Sequence, residues 1–85
     1  MIEFSHPITL SEGMHTRPAG GLVKLLNKFE SDIQIGNGQR FVNGKQLMAL
    51  FSLDFKCGDI MQIKICGKDE VAAQKYCEDY LLNNL

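Results

Sequence analysis

The segment Gly13-Met14-His15-Thr16-Arg17-Pro18-Ala19 carries an imidazole and, two residues later, a guanidinium just ahead of an apolar pattern. Ala19, Leu22, Val23, Leu26 and Phe29 recur at helical spacing. Pro18 suits a first helical turn, where amide hydrogens have no intrahelical partner. A helix is therefore expected to begin near His15 or Thr16. Its first turn would expose unpaired N–H groups and roughly half a positive charge from the helix dipole, so a phosphoryl group on His15 would be stabilised by both. Arg17 could close over the phosphate oxygens with paired N–H donors. The same positive end disfavours an imidazolium and leaves His15 neutral and nucleophilic. These residues together describe a group that can accept a phosphoryl and release it again; an ordinary surface histidine ahead of a helix is the other reading that so short a motif leaves open by itself. His6, set in a strand between apolar neighbours, is read as structural.

The elements that must hold this segment follow from periodicity. Ile2, Phe4 and Ile8 share one parity around His6 and predict an opening strand, which Pro7 pushes toward a sheet edge because it lacks an amide hydrogen. Ser11-Glu12-Gly13-Met14 reads as a short loop before the helix. Ile33 and Ile35 alternate up to Asn37-Gly38, a dipeptide that favours a tight hairpin with two positive-φ residues, and a short strand through Phe41 and Val42 should follow. Gln46–Leu53 predicts a short helix, and Ile60–Cys66 a strand with Met61, Ile63 and Ile65 on one face. Asp69 is placed to cap a last helix with Ala73, Tyr76, Cys77, Tyr80 and Leu81 along one stripe. The order β-α-β-β-α-β-α, with one-sided apolar parity in its strands, implies an α+β fold: an antiparallel four-stranded sheet with helices layered on one face. A chain of 85 residues is expected to form one domain over 1–85.

Composition narrows the function classes. Nine Lys and Arg against ten Asp and Glu give a net charge of −1, so no long-range positive field gathers nucleic acid, and no strand combines aromatic with basic residues. An anion must be held locally. Cys57, Cys66 and Cys77 lack a Cys-x-x-Cys pairing and read as reduced thiols in a cytosolic protein. No apolar run reaches the ~20 residues of a membrane span, nor does the start of the chain resemble a signal peptide. The sequence offers no metal cluster, nucleotide loop or second acid–base pair, and neither a metal nor a cofactor is expected. This lack of a complete active site points to a carrier that works in its partners' sites.

The sequence resembles the HPr family, the histidine phosphocarriers of the phosphoenolpyruvate-dependent sugar phosphotransferase system. Gly13–Ala19, Ser31-Asp32-Ile33, Asn37-Gly38, Lys45-Gln46-Leu47-Met48, Ser52-Leu53 and Gly58 stand in family order at family spacing, over essentially the whole chain. The resemblance implies an open-faced β-sandwich of four antiparallel strands covered by three helices. It implies that His15 takes a phosphoryl group on Nδ1 from enzyme I and passes it to an enzyme IIA domain. Arg17 carries over as the phosphate partner, and the backbone of Thr16 and Arg17 as amide donors. Three positions depart from the family pattern. Glu12 stands where a small polar residue often helps bind the phosphate, and its carboxylate is expected to repel a phosphoryl group and favour a protonated His15. Gln46 replaces a frequent serine and has no hydroxyl for a regulatory kinase. Asp54 stands where glycine often ends the second helix, and tolerates a left-handed conformation less well.

The second helix carries a further expectation. Leu47, Met48, Ala49, Leu50, Phe51 and Leu53 encircle it, yet a helix lying on a sheet buries only about half its circumference. With Leu50 and Leu53 inward, Leu47, Met48 and Phe51 would form a surface patch for docking partners, and Phe51 and Met48 would serve association rather than stability. The leading reading is a cytoplasmic, monomeric phosphocarrier that is not itself an enzyme. The alternative is an HPr-like regulatory or interaction protein with little or no phosphotransfer, motivated by Glu12 and the missing serine.

Overall fold

The computed structural model describes residues 1–85. Its elements run β1 (Ile2–Pro7), α1 (Thr16–Leu26), β2 (Asp32–Gly36), β3 (Phe41–Asn43), α2 (Leu47–Phe51), β4 (Ile60–Cys66) and α3 (Glu70–Asn84). The strands form one antiparallel sheet in the order β1-β4-β2-β3, with β1, and therefore Pro7, on an edge. Register is set by apolar parity. Ile63 lies opposite Phe4 on one side and Ile35 on the other, and Ile65 lies opposite Ile2 and Ile33. A one-residue slip would turn Met61, Ile63 and Ile65, all buried, out to solvent.

Three helices cover one face of this sheet, and the buried side chains lie between the two layers. Ile33, Ile35, Met61, Ile63 and Ile65 rise from the strands to meet Ala19, Leu22 and Leu26 of α1, Leu50 of α2 and Ala73, Cys77 and Leu81 of α3. The opposite face is open. There the Phe41 ring packs over Gly36, where an added Cβ would stand 2.7 Å from ring carbons, and Lys64 Nζ sits 4.2 Å from the ring centroid. An aromatic ring thus covers the backbone that a glycine leaves bare in the strand.

Five local expectations are corrected by the structure. Asn37-Gly38 does not form a two-residue hairpin. Residues 37–40 form the loop, only Gly38 has positive φ (94°), and Asn37 Oδ1 accepts the Gln39 and Arg40 amides at 3.0 and 3.2 Å. An asparagine that bonds its own turn has no need of the left-handed region. Helix α1 stops at Leu26, and Phe29 lies beyond it, because the amides of Lys28 and Phe29 bond carbonyls three residues back in a tightened tail. Helix α2 spans only Leu47–Phe51, within the Gln46–Leu53 segment.

Asp69 precedes α3 but makes no side-chain cap bond. Its carboxylate instead accepts the Glu30 and Ser31 amides at 2.8 and 2.9 Å and the Ser31 hydroxyl, tying the start of α3 to the entry of β2. Glu70 Oε1 accepts the Gly67 amide at 3.1 Å, bracing the turn that leads into α3. Along α3 the buried stripe is Ala73, Cys77 and Leu81, whereas Tyr76 is 55 % exposed, its ring centroid 6.0 Å from that of Phe29. Burial pushes the Cys77 thiol up to about 12, so it behaves as an apolar side chain. Cys57 and Cys66 are exposed, and none of the three forms a disulfide.

Candidate functional site

His15 is the residue from which α1 departs, with extended backbone (φ −127°, ψ −179°) and a carbonyl that accepts the Ala19 amide at 3.0 Å. Its imidazole does not cap its own helix. The first helical amide with a partner belongs to Ala19; the Thr16 and Arg17 amides have none, and Pro18 has no N–H to offer. No acidic residue occupies the first turn. Two backbone donors and the positive end of an eleven-residue helix are therefore left uncompensated beside the ring. Arg17 is exposed and forms no ion pair or side-chain hydrogen bond within the chain, which leaves its guanidinium available to an external anion.

The loop ahead of the ring is held by contacts distant in sequence. Gly13 adopts φ +70°, and a Cβ there would stand 2.6 Å from the Phe55 carbonyl oxygen and 3.0 Å from Lys56 Cα. Only glycine fits. The Gly13 amide bonds the Leu10 carbonyl at 2.8 Å, and the Met14 amide bonds the Phe55 carbonyl at 3.1 Å, so the segment leading to His15 is pinned on the loop that follows α2. This turn brings Glu12 back against the ring: its Oε2 lies 3.2 Å from His15 Nε2, with both side chains partly in solvent. The carboxylate is on the Nε2 side, leaving Nδ1 free of any partner in the chain.

A hollow of about 280 Å³ opens beside the imidazole, lined by Leu10, His15, Arg17, Pro18, Tyr80, Asn83 and Asn84. The residues from α3 were not among those the sequence singled out for the site. Their side chains fix its wall. The Tyr80 hydroxyl donates to the Pro18 carbonyl at 2.8 Å, and the Asn83 and Asn84 amides donate to the Asp79 and Tyr80 carbonyls at 2.8 and 2.9 Å. Partial burial raises the Tyr80 hydroxyl above its ordinary pKa and keeps it a donor. No local pattern marks these residues, since only the docking of α3 on α1 brings them there. His6 lies elsewhere, buried under the β1 edge with Nε2 unpartnered. No three His, Cys, Asp or Glu side chains converge as a metal centre would require.

Leu50 on α2 and Leu53 just beyond its end are buried. Of the three residues expected to form the docking patch, Met48 alone is fully out in solvent, 79 % exposed, while Leu47 and Phe51 are half-buried against the core. Phe51 therefore contributes to packing as well as surface, because a five-residue helix crossing the sheet margin leaves its flanking side chains straddling the boundary. Asp54, just past α2, has φ 50°, the left-handed value that glycine adopts without strain.

The helix start that bears His15 is carried on an open-faced antiparallel sandwich of four strands and three helices. The chain matches the family model described as "PTS HPr component phosphorylation site" over residues 2–82, and it belongs to that phosphocarrier family. It is 29 % identical over 83 residues to the phosphocarrier protein HPr of Xylella fastidiosa, covering 98 % of this chain and 93 % of that one. The crystal structure of HPr from Thermoanaerobacter tengcongensis superposes with a TM-score of 0.93 at 31 % identity, covering 99 % and 94 % of the two chains. The Bacillus subtilis catabolite repression protein Crh, crystallised as a domain-swapped dimer, superposes with a TM-score of 0.77 at 28 % identity, covering 100 % and 98 %. The four-stranded sheet and its three helices agree with the fold expected from the resemblance. No helix is long and apolar enough to cross a membrane.

Proposed function

We propose that the chain acts as one unit over residues 1–85 and carries phosphoryl groups on His15 Nδ1, from phospho-enzyme I to enzyme IIA domains, as a cytoplasmic monomer that depends on its partners for catalysis. The single observation that carries this reading is that His15 stands at the N-cap of α1, directly ahead of the unpartnered Thr16 and Arg17 amides, with Glu12 on the Nε2 side of its ring. The Nδ1 lone pair forms the new N–P bond while the donor's N–P bond breaks and its electron pair returns to the donor nitrogen. The Thr16 and Arg17 amides take up phosphate oxygens, and the Arg17 guanidinium neutralises charge spread over the group in flight. Met48, with the exposed edges of Leu47 and Phe51, supplies apolar docking area on the same helical layer.

Incubation with enzyme I, Mg²⁺ and phosphoenolpyruvate should add one acid-labile phosphoryl mass to the intact protein. His15→Ala should abolish it and His6→Ala should leave it. Labelling that survives the loss of His15 refutes the mechanism. The second reading, an HPr-like interaction protein with little transfer, draws on Gln46 and on the similarity to Crh; a wild-type chain that takes no label while binding a partner would favour it.

A further inference from the structure

We propose that Glu12 is a positioning residue for phosphoryl transfer: by accepting a hydrogen bond from His15 Nε2–H it holds the ring in the tautomer that presents the Nδ1 lone pair to the phosphoryl group. The inference rests on the carrier reading above and assigns Glu12 a sign opposite to simple charge repulsion. Three observations carry it. Glu12 Oε2 lies 3.2 Å from Nε2, and His15 is the only ion-pair partner Glu12 has. The backbone of the turn sets the two residues within reach of one another, because Gly13 at φ +70° is wedged against the Phe55 carbonyl and Met14 is bonded to that same carbonyl. Arg17, the nearest cation in sequence, pairs with no carboxylate, so Glu12 is not spent on neutralising the phosphate's own partner.

A carboxylate is an acceptor only, so the nitrogen facing it carries the proton, and the other nitrogen of a neutral imidazole is left with its lone pair. The transfer then balances without a proton moving. Nδ1 forms the N–P bond, the donor nitrogen recovers its pair, and the proton stays on Nε2. The ring becomes positively charged in the product, and the Glu12 bond becomes charge-assisted at the moment the ring needs it. On the outward step the N–P pair returns to Nδ1 and the ring leaves as neutral imidazole, its Nε2 proton still in place. Because Glu12 faces Nε2, the ring lies between its carboxylate and the phosphoryl group.

The test is a rapid-quench time course of acceptance from enzyme I charged with phosphoenolpyruvate and Mg²⁺, using wild type, Glu12→Ala and Glu12→Gln, together with ¹⁵N NMR of the His15 ring. Glu12→Ala should lower kcat about tenfold while KM stays within about twofold, with the amide of Glu12→Gln giving an intermediate loss. The ¹⁵N spectrum should show the Nε2–H form enriched in wild type and less so in Glu12→Ala. Melting midpoints should agree, since the Glu12 side chain is 72 % exposed. An unchanged or faster Glu12→Ala, or an unchanged tautomer balance, overturns the assignment while leaving the carrier reading intact. A wild-type chain that accepts no phosphoryl group brings down the carrier reading and this inference with it.

Discussion

Gly20 and Gly21, adjacent in α1, are expected to respond in opposite directions to alanine. In a helix interior Gly→Ala ordinarily gains about 1 kcal/mol through backbone entropy. At Gly20 an added Cβ meets no heavy atom within 4 Å, so that gain should be realised in full. At Gly21 the Cβ would land on the Tyr80 hydroxyl and stand 3.0 Å from ring carbon Cζ. The ring must then withdraw, and the hydroxyl loses the Pro18 carbonyl it bonds at 2.8 Å. The lost hydrogen bond amounts to about 1 kcal/mol, and an off-rotamer ring adds about 1 kcal/mol more. Set against the entropic gain, Gly21→Ala should destabilise by about 1 kcal/mol, leaving the two variants about 2 kcal/mol apart. For a chain this size each kcal/mol moves the midpoint by roughly 4–8 °C, so calorimetry and urea titration both resolve the difference. Tyr80→Phe provides the control. Without the hydroxyl there is less to displace, and Gly21→Ala should be milder by about 1 kcal/mol in that background. If both alanines stabilise equally, or if the Tyr80→Phe background changes nothing, the α1–α3 seam is not held as described and the wall of the His15 hollow needs another explanation.

Three further outcomes are expected. The Ser31 hydroxyl, followed by the Glu30 amide, holds the Asp69 carboxyl below the usual aspartate value, so the unfolded chain binds more protons there and stability rises with pH; this contribution is complete above the ordinary aspartate pKa and lost as pH falls through the folded value. Asp69→Asn should flatten the acid limb of a melting series run from about pH 2 to 5, and an unaltered limb would show that another carboxylate governs it. Half-buried Phe51, truncated to alanine, should lower stability by about 1–2 kcal/mol, less than the ~3–5 kcal/mol of a fully buried ring, while Met48→Ala should stay within ~0.5 kcal/mol and instead weaken enzyme I docking in titration calorimetry. Replacing His6, whose Nε2 is buried without a partner, by leucine should stabilise the fold by about 1 kcal/mol in urea unfolding; a loss would mean that the imidazole is packed better than its hydrogen bonding suggests.

Much of this molecule could be read from local pattern. Met61, Ile63 and Ile65 alternate, and all three are buried on one face of β4; period-two apolar placement leaves a strand one way to face a core. His15 and Arg17 fall at a helix start because Pro18 and the apolar residues from Ala19 onward allow a helix to begin just there and hardly anywhere earlier. These are properties of a few neighbouring residues, and backbone sterics with burial decide them without reference to the rest of the chain. What tertiary structure alone decided are the contacts between surfaces far apart in sequence. Glu12 looked like a charge set against a phosphate, yet in the folded loop, held at Gly13 against Phe55, its carboxylate lies on the Nε2 side of the ring. Asp69 looked like a cap until the entry of β2 arrived with better donors in Ser31 and Glu30. Phe51 looked exposed until a short α2 met the margin of the sheet, and Tyr80 showed no tie to the site until α3 packed on α1. Spacing in a sequence encodes which face of an element is apolar, whereas the partner a polar group finds depends on which faces meet, and that follows only from the packing of the whole chain.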